Sequence, residues 1–424
     1  MALKNLSLNY KNRLGFSEKF IIKTSERLLP YFQKIKKILK EKNNQEPESF
    51  LNLEVVNLKK IQTVAYEKTK SVKFLILIGI GGSISATQAI YEVLKKEFIS
   101  YKNFLQPIFL DNLSALSLKE TFDFLKKQKS KEILIVLVSQ SGKTLESLIN
   151  FNVLAQFLKK EKKQFENRSV IITEKNSLLW QIAEKKNFTL LEIPKAVSGR
   201  YAVFSNVSLF PLAALGINLY KFIAGAKTMR DRCLKEKNNP ALMLAAFLFF
   251  NAKKGKTIVD YFFFEPALEF LRNWQKQLVA ESLGKNKYGL TPTISLGPRD
   301  LHSLFQLSLA GPKNKATVFV SCFSSFKIFI KILPEFEKTI PFLKKKSVSE
   351  IVEAIFESVK NVYAKKNLPF VEIVLPKINE FYLGQFLMLQ MMSIIFLAQL
   401  LKVNAFNQPA VALYKTKVLK MLKK

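Results

Sequence analysis

Residues 75–83 read Leu-Ile-Leu-Ile-Gly-Ile-Gly-Gly-Ser, and this stretch decides the fold. An apolar run of strand length ends in glycines and a serine, and residues 86–94 continue with helical spacing of apolar positions. A strand that is apolar on both faces is typical of a parallel sheet covered by helices. Glycines let the backbone approach a ligand, and the following helix directs free N–H groups toward it. The stretch predicts a phosphate-binding loop, with an ordinary strand-to-helix turn as the alternative.

Two common nucleotide-binding motifs do not fit this chain. The dinucleotide pattern G-x-G-x-x-G requires a glycine where Ile84 stands. A P-loop that ended in Gly142-Lys143-Thr144 would require a glycine at the position of Leu137. Neither signature is therefore present.

A second loop repeats the first pattern at residues 134–146, which read Leu-Ile-Val-Leu-Val-Ser-Gln-Ser-Gly-Lys-Thr-Leu-Glu. Ser139, Ser141 and Thr144 each offer a hydroxyl group just before a helix. One serine-rich turn is usually only a helix cap. Two such loops at strand ends of one parallel sheet meet at its carboxyl edge, where open α/β sheets bind ligands. The pair favours a phosphate site.

Strand-like and helix-like runs alternate along the chain, which indicates two α/β halves with parallel sheets. The strand-like runs are 74–78, 107–110, 132–139, 169–173 and 189–193, then 256–262, 293–296, 316–322 and 370–374. We predict five parts: an N-terminal helical segment (1–46), a first α/β domain (47–208), a helical bridge (209–240), a second α/β domain (241–380) and C-terminal helices that pack back across both (381–424).

Composition limits the possible partners and the compartment. The formal charge is +34, but the lysines are spread along the chain, so we expect no specific nucleic-acid binding; an anionic substrate would still be attracted. Polar residues interrupt the apolar stretch Phe386–Leu401, which predicts a buried core helix rather than a membrane span. Cys233 and Cys322 are the only cysteines, which matches a reducing compartment. We expect a cytoplasmic protein without a signal peptide.

Three later stretches carry side chains suited to proton chemistry. Arg200 lies in Val-Ser-Gly-Arg-Tyr (197–201), either as a surface charge or as a fixed cation for charge in a transition state. Glu281 lies near the end of an apolar segment, either solvated or, if it faces a cleft, as a general base. His302 is the only histidine, either a packing residue or a proton carrier.

Together these stretches resemble the phosphoglucose isomerase family, whose members have two flavodoxin-like sheets of the sugar-isomerase (SIS) type. The resemblance runs from about residue 79 to residue 415 and rests on six motifs in consistent order. They are Gly-Ile-Gly-Gly-Ser (79–83), Ser-Gln-Ser-Gly-Lys-Thr-Leu-Glu (139–146), Ser-Gly-Arg-Tyr (198–201), Ala-Glu-Ser-Leu-Gly-Lys (280–285), Asp-Leu-His (300–302) and Asn-Ala-Phe-Asn-Gln-Pro-Ala-Val-Ala-Leu-Tyr-Lys (404–415).

The resemblance implies reversible isomerisation of glucose 6-phosphate and fructose 6-phosphate through a cis-enediol, in glycolysis and gluconeogenesis, without metal or organic cofactor. It implies that Glu281 moves the proton between C1 and C2 while Arg200 stabilises the enediolate. It further implies that His302 opens the sugar ring with Lys415, and that Glu146 orients His302. The chemistry agrees, because a weakly acidic α-hydroxy carbonyl requires a cation beside the base.

The resemblance also assigns the residues that hold the substrate, and the state of assembly. The implied phosphate and sugar contacts are Gly82, Ser83, Ser139, Ser141, Thr144, Gln277 and Gln408. Family members are commonly homodimers in which a histidine comes from the partner, so His302 is expected to act in trans.

Several positions depart from the family pattern and bear on substrate preference and turnover. They are Ser198 for glycine, Asn407 for aspartate, Ala410 for glycine, Ala412 for glutamate, Met391 for an acidic residue, and Lys143 and Leu145 for small or polar residues. One alternative is an isomerase with relaxed specificity that also accepts mannose 6-phosphate. Another is an inactive sugar-phosphate-binding regulator, which the retained Glu281, Arg200, His302 and Lys415 argue against.

Overall fold

A computed structural model describes residues 5–9, 17–95, 105–323 and 327–423. The strands are β1 Ser7–Asn9, β2 Phe74–Ile78, β3 Gln106–Leu110, β4 Ile133–Ser139, β5 Ser169–Glu174, β6 Thr189–Ile193, β7 Ile258–Phe263, β8 Thr291–Leu296, β9 Lys315–Ser321 and β10 Phe370–Val374. The helices are α1 Glu18–Glu41, α2 Leu58–Thr69, α3 Ser85–Leu94, α4 Ala115–Lys126, α5 Leu145–Lys160, α6 Leu178–Lys185, α7 Asn206–Ala214, α8 Leu219–Cys233, α9 Pro240–Lys253, α10 Arg272–Leu283, α11 Phe305–Ala310, α12 Val348–Lys365, α13 Glu380–Leu401 and α14 Val411–Leu422.

The first sheet has the strand order β3-β2-β4-β5-β6, and all its strands run parallel. Every residue of β4 is buried, as expected for a strand covered on both faces. The chain leaves β2 toward β3 on one side and returns to β4 on the other, so the loops after β2 and β4 are neighbours at a topological switch point. The predicted α/β fold is confirmed, and each predicted strand is present with ends within two residues.

The second sheet has the order β1-β10-β9-β7-β8. Strands β7 to β10 are parallel, whereas β1 runs antiparallel to β10, with Ser7 opposite Val374. The prediction that residues 1–46 are helical is therefore wrong at residues 7–9. A three-residue strand has no measurable periodicity, and β1 forms because the edge of β10 offers unpaired backbone groups.

Helix α13 passes through the core and connects the packing of the two halves. Its side chains are almost all buried, and it packs against α1, α8, α9 and α10. A Cβ at Gly384 would lie 2.2 Å from the carbonyl oxygen of Phe222, so only glycine permits this close crossing with α8. This helix is long and apolar enough to cross a membrane, yet 94% of its apolar window is buried inside the fold. The predicted core helix is confirmed.

Candidate active site

The loop after β2 supports the site through its backbone. Residues Gly81–Ser83 form a 3₁₀ turn at the carboxyl end of β2. A Cβ on Gly82 would lie 2.4 Å from the carbonyl carbon of Gly199 and 2.5 Å from the backbone nitrogen of Arg200. The first predicted loop therefore packs directly on the backbone that carries the proposed cation.

This close approach predicts that Gly82→Ala disrupts the site. The added methyl group forces two backbone segments apart, and overpacking of this kind costs about 1–3 kcal/mol of stability. Displacement of Arg200 should lower kcat by about ten- to a hundredfold. Thermal unfolding and steady-state kinetics check both effects. Ser83→Ala is the control: it should keep the parent Tm and raise only KM, and a Gly82→Ala protein with parent kinetics would contradict this packing.

Arg200 is the centre of the hydrogen-bond network. It lies in the 3₁₀ segment Gly199–Phe204, and only 2% of its surface is exposed. The guanidinium donates to the Glu281 carboxylate (2.9 Å), the Ser282 hydroxyl (2.9 Å) and the Gln408 side-chain oxygen (3.0 Å). It also donates to the backbone carbonyls of Ala405 (2.6 Å) and Asn407 (3.2 Å). This many acceptors hold one planar donor fork in a single orientation.

Glu281 is positioned by α10 and held from two sides. Arg200 donates to its Oε2, while Gln277, one helical turn earlier, donates from Nε2 to its Oε1 at 3.2 Å. The side chain of Glu281 is 31% exposed, so the carboxylate faces solvent while the guanidinium behind it is buried. A carboxylate that is accessible to a substrate and touches a fixed cation suits proton abstraction next to a carbonyl.

The second predicted loop, after β4, is also at the carboxyl edge of the first sheet. The buried Ser139 hydroxyl donates to the Thr144 hydroxyl at 3.2 Å, and the backbone N–H of Lys143 donates to the Ser141 hydroxyl at 3.3 Å. Thr144 immediately precedes α5, whose free N–H groups add anion-binding capacity. A cavity of about 740 Å³ opens beside Ser141 and Lys143 toward the ends of β5 and β6. Its lining does not include Glu281, so this cavity is not the space in front of the carboxylate.

The proposed ring-opening residues form no hydrogen bond with this network among the described residues. His302 is exposed in the 3₁₀ turn Arg299–His302, and Lys415 is exposed on α14, which has no buried residue. Glu146 lies half-buried in the first turn of α5. Within the described residues, no hydrogen bond joins any of these three side chains to another side chain.

Nothing in the sequence indicated a role for three side chains that complete the network, Ser282, Tyr201 and Trp274. The Ser282 hydroxyl accepts from Arg200 and lies 2.9 Å from the Tyr201 hydroxyl. Burial raises the pKa of Tyr201 to about 12, so this phenol stays neutral. Trp274 donates from its indole nitrogen to the backbone carbonyl of Arg200 at 3.2 Å. Ser282 stands next to Glu281 in the motif Ala-Glu-Ser-Leu-Gly-Lys (280–285), but consecutive helix residues do not share a face, so the sequence carried no signal that both contact Arg200.

Arg200, Glu281 and both loops of the first sheet lie within a region shared with a known family. Residues 58–308, more than half of the chain, match the family model described as phosphoglucose isomerase. The chain belongs to the phosphoglucose isomerase family. It is therefore an enzyme of the isomerase class, and the alternative of an inactive regulator is not favoured.

Individual relatives agree with this family membership. A glucose-6-phosphate isomerase of Methanocaldococcus jannaschii is 34% identical over 82% of this chain and 83% of its own length. That of Mycoplasmopsis pulmonis is 30% identical over the full length of both chains. Among solved structures, a hypothetical protein of Thermus thermophilus superposes with a TM-score of 0.86 at 25% identity, over 99% of this chain and 100% of its own. A glucose-6-phosphate isomerase from Chlamydia trachomatis has the same fold, with a TM-score of 0.81 at 17% identity over 96% of this chain and 86% of its own.

Proposed function

We propose that this chain interconverts glucose 6-phosphate and fructose 6-phosphate through a cis-enediol. The observation that carries the proposal is the 2.9 Å contact between the Glu281 carboxylate and the buried Arg200 guanidinium. The reaction removes a weakly acidic proton and leaves an oxyanion, so the base and a cation must act at the same place. A positioned base alone gives only about 10²–10⁴-fold acceleration.

In the proposed mechanism Glu281 removes the proton from C2 of the open-chain aldose, and the electron pair moves to form the enediolate. Arg200 stabilises the negative oxygen of this intermediate. A proton passes from the C2 hydroxyl to the C1 oxygen, and the protonated Glu281 then returns its own proton to C1. C2 thereby becomes the carbonyl carbon of the ketose phosphate. Gln277 keeps the carboxylate oriented throughout, since its amide donates to the second carboxylate oxygen.

The two loops of the first sheet are proposed to bind the phosphate group. Ser83, Ser139, Ser141 and Thr144 supply hydroxyl donors, and the N-terminus of α5 supplies backbone N–H groups. Both loops follow adjacent parallel strands, which supports their action on one ligand. The formal charge of +34 favours the capture of an anionic substrate.

We propose that His302 and Lys415 open the sugar ring. In this proposal His302 comes from the other subunit of a homodimer, and Glu146 orients it. The exposure of His302 supports a role across an interface, since no partner holds it among the described side chains. Helix α14, which carries Lys415, presents an exposed apolar surface that a second subunit could cover. Its most exposed apolar side chains are Leu413, Tyr414, Leu419, Met421 and Leu422.

Action in trans makes a prediction about mixed dimers. Glu281→Gln and His302→Gln proteins should each be nearly inactive, but unfolding and refolding them together should restore about one quarter of the parent activity, because half of the dimers then contain one intact site. The coupled assay on refolded mixtures measures the recovery. If both residues come from one subunit, the mixture stays as inactive as its components.

The experiment that tests the proposed function is a coupled assay on the purified chain with fructose 6-phosphate in the presence of EDTA. We expect glucose 6-phosphate to form at a rate that EDTA does not change. Mannose 6-phosphate in the same assay tests the relaxed-specificity alternative. Calorimetric binding of fructose 6-phosphate without turnover would instead support the regulator.

A further inference from the structure

Lys285 follows the end of α10 and folds its side chain back over the last turn of that helix. Its ammonium group donates to the backbone carbonyl of Glu281 and, at 2.9 Å, to that of Ser282. The side chains of both residues also accept hydrogen bonds from Arg200. Lys285 therefore binds the backbone carbonyls of Glu281 and Ser282, while Arg200 binds the side chains of the same two residues.

A tight turn fixes the position of Lys285. The backbone N–H of Lys285 donates to the carbonyl of Tyr288 at 3.1 Å, and that of Tyr288 donates back at 2.8 Å. Asn286 and Lys287, between them, have φ values of 54° and 63°. Two successive left-handed residues make a narrow hairpin-type turn. The turn thus holds the backbone of Lys285 beside the end of α10, and the side-chain hydrogen bonds place its ammonium group there.

The site is an unfavourable place for this second positive charge. Burial, followed by repulsion from Arg200, lowers the pKa of Lys285 to about 8, against the attraction of Glu281. Arg200 in the 3₁₀ segment and Glu281 on α10 are the charged groups that shift the pKa of Lys285. A free lysine has a pKa of about 10.4. At pH values between the pKa of Lys285 in the folded protein and this free value, the unfolded chain binds more protons than the folded chain does. Over this pH range the contribution of Lys285 to the free energy of unfolding therefore rises with pH. The ammonium therefore costs stability at neutral pH, which points to a role in the site.

Resting on the isomerase function proposed above, we propose that Lys285 is a positioning residue for the base. By clamping the last turn of α10, its ammonium holds the Glu281 carboxylate against the Arg200 guanidinium. A charged donor binds carbonyl oxygens more strongly than a neutral amine. The clamp therefore weakens as Lys285 loses its proton, and the isomerase loses activity at alkaline pH.

The test compares the pH dependence of kcat/KM for the parent, Lys285→Met and Lys285→Arg, with Lys287→Met as a control on the same turn. The parent should lose activity with an apparent pKa near 8. Lys285→Met should be slower by about ten- to a hundredfold at neutral pH and lack this alkaline loss, without a lower Tm. Lys285→Arg keeps its charge, so its alkaline loss should move to higher pH. Lys287→Met should behave as the parent.

Two outcomes would overturn the role of Lys285 while leaving the isomerase function intact. One is an active parent whose kcat/KM shows no alkaline loss near this pH. The other is an alkaline loss that stays at the same pH in Lys285→Arg, since a lysine that only supports folding changes the rate and not the profile. A parent without any turnover would instead contradict the proposed function.

Discussion

Glu281→Gln should reduce kcat by about 10²–10⁴-fold and leave KM for fructose 6-phosphate nearly unchanged. Glutamine has the shape of glutamate and can still accept from Arg200, but it cannot take a proton from carbon. The carboxylate contacts Gln277 and Arg200 only through its oxygens, so the substitution preserves the packing of α10. Steady-state kinetics on the purified variant measure both constants.

The matched control for this variant is Glu54→Gln. Glu54 is also a partly exposed carboxylate that pairs with a buried arginine, Arg230, at 2.7 and 2.8 Å. It should lose some stability, because Arg230 lowers the pKa of Glu54 and this pairing is lost, but kcat should stay at the parent value. Equal kinetics for Glu281→Gln and the parent would remove Glu281 from the mechanism.

Arg200→Lys should lower kcat by about 10²–10³-fold and lower the Tm as well. Lysine keeps the charge but cannot reproduce a planar fork that serves five acceptors at once. The buried backbone carbonyl of Ala405 then loses its donor, and the Ser282 hydroxyl and the Asn407 carbonyl lose their hydrogen bonds to Arg200. Each unsatisfied buried acceptor costs about 1–3 kcal/mol. Kinetics together with thermal unfolding separate the two effects.

Arg230→Lys provides the control for a buried arginine outside the site. Arg230 is 6% exposed and binds Glu54, Asp231 and the carbonyl of Leu51. Its substitution should lower the Tm without a comparable fall in kcat. If Arg200→Lys and Arg230→Lys lose the same activity per folded molecule, Arg200 has no special electrostatic role.

The strands and the glycine- and serine-containing loops after β2 and β4 could be predicted from the sequence because they depend on local patterns. A continuously apolar run such as Ile133–Ser139 is typical of a buried parallel strand. The glycines that follow the neighbouring strand β2 indicate the loop at its end. The core helix was equally clear over Phe386–Leu401, since the few polar positions of this stretch are uncharged. The short strand Ser7–Asn9 could not be predicted from the sequence, because its partner strand lies more than three hundred residues away.

The contacts of the candidate site could be predicted only in part. Motifs named Arg200 and Glu281, but nothing local to either residue shows that they touch at 2.9 Å. The contacts of Arg200 with the carbonyl groups of Ala405 and Asn407 depend on tertiary packing, which carries no sequence signal of its own. The contact of Lys285 with α10 is local, but no sequence pattern marks a lysine side chain that folds back onto the preceding helix. The role of His302 depends on a second subunit and stays a prediction.

The most direct test of proton transfer by Glu281 is hydrogen exchange during prolonged turnover in D₂O. Glucose 6-phosphate is incubated with the parent chain well past equilibrium, and NMR then measures deuterium at C2 of the aldose and C1 of the ketose. The enediol mechanism predicts that solvent deuterium accumulates at both carbons with the parent and not with Glu281→Gln. Isomerisation that continues through many turnovers with no deuterium on carbon would contradict it, because only a direct hydride shift retains the original hydrogen.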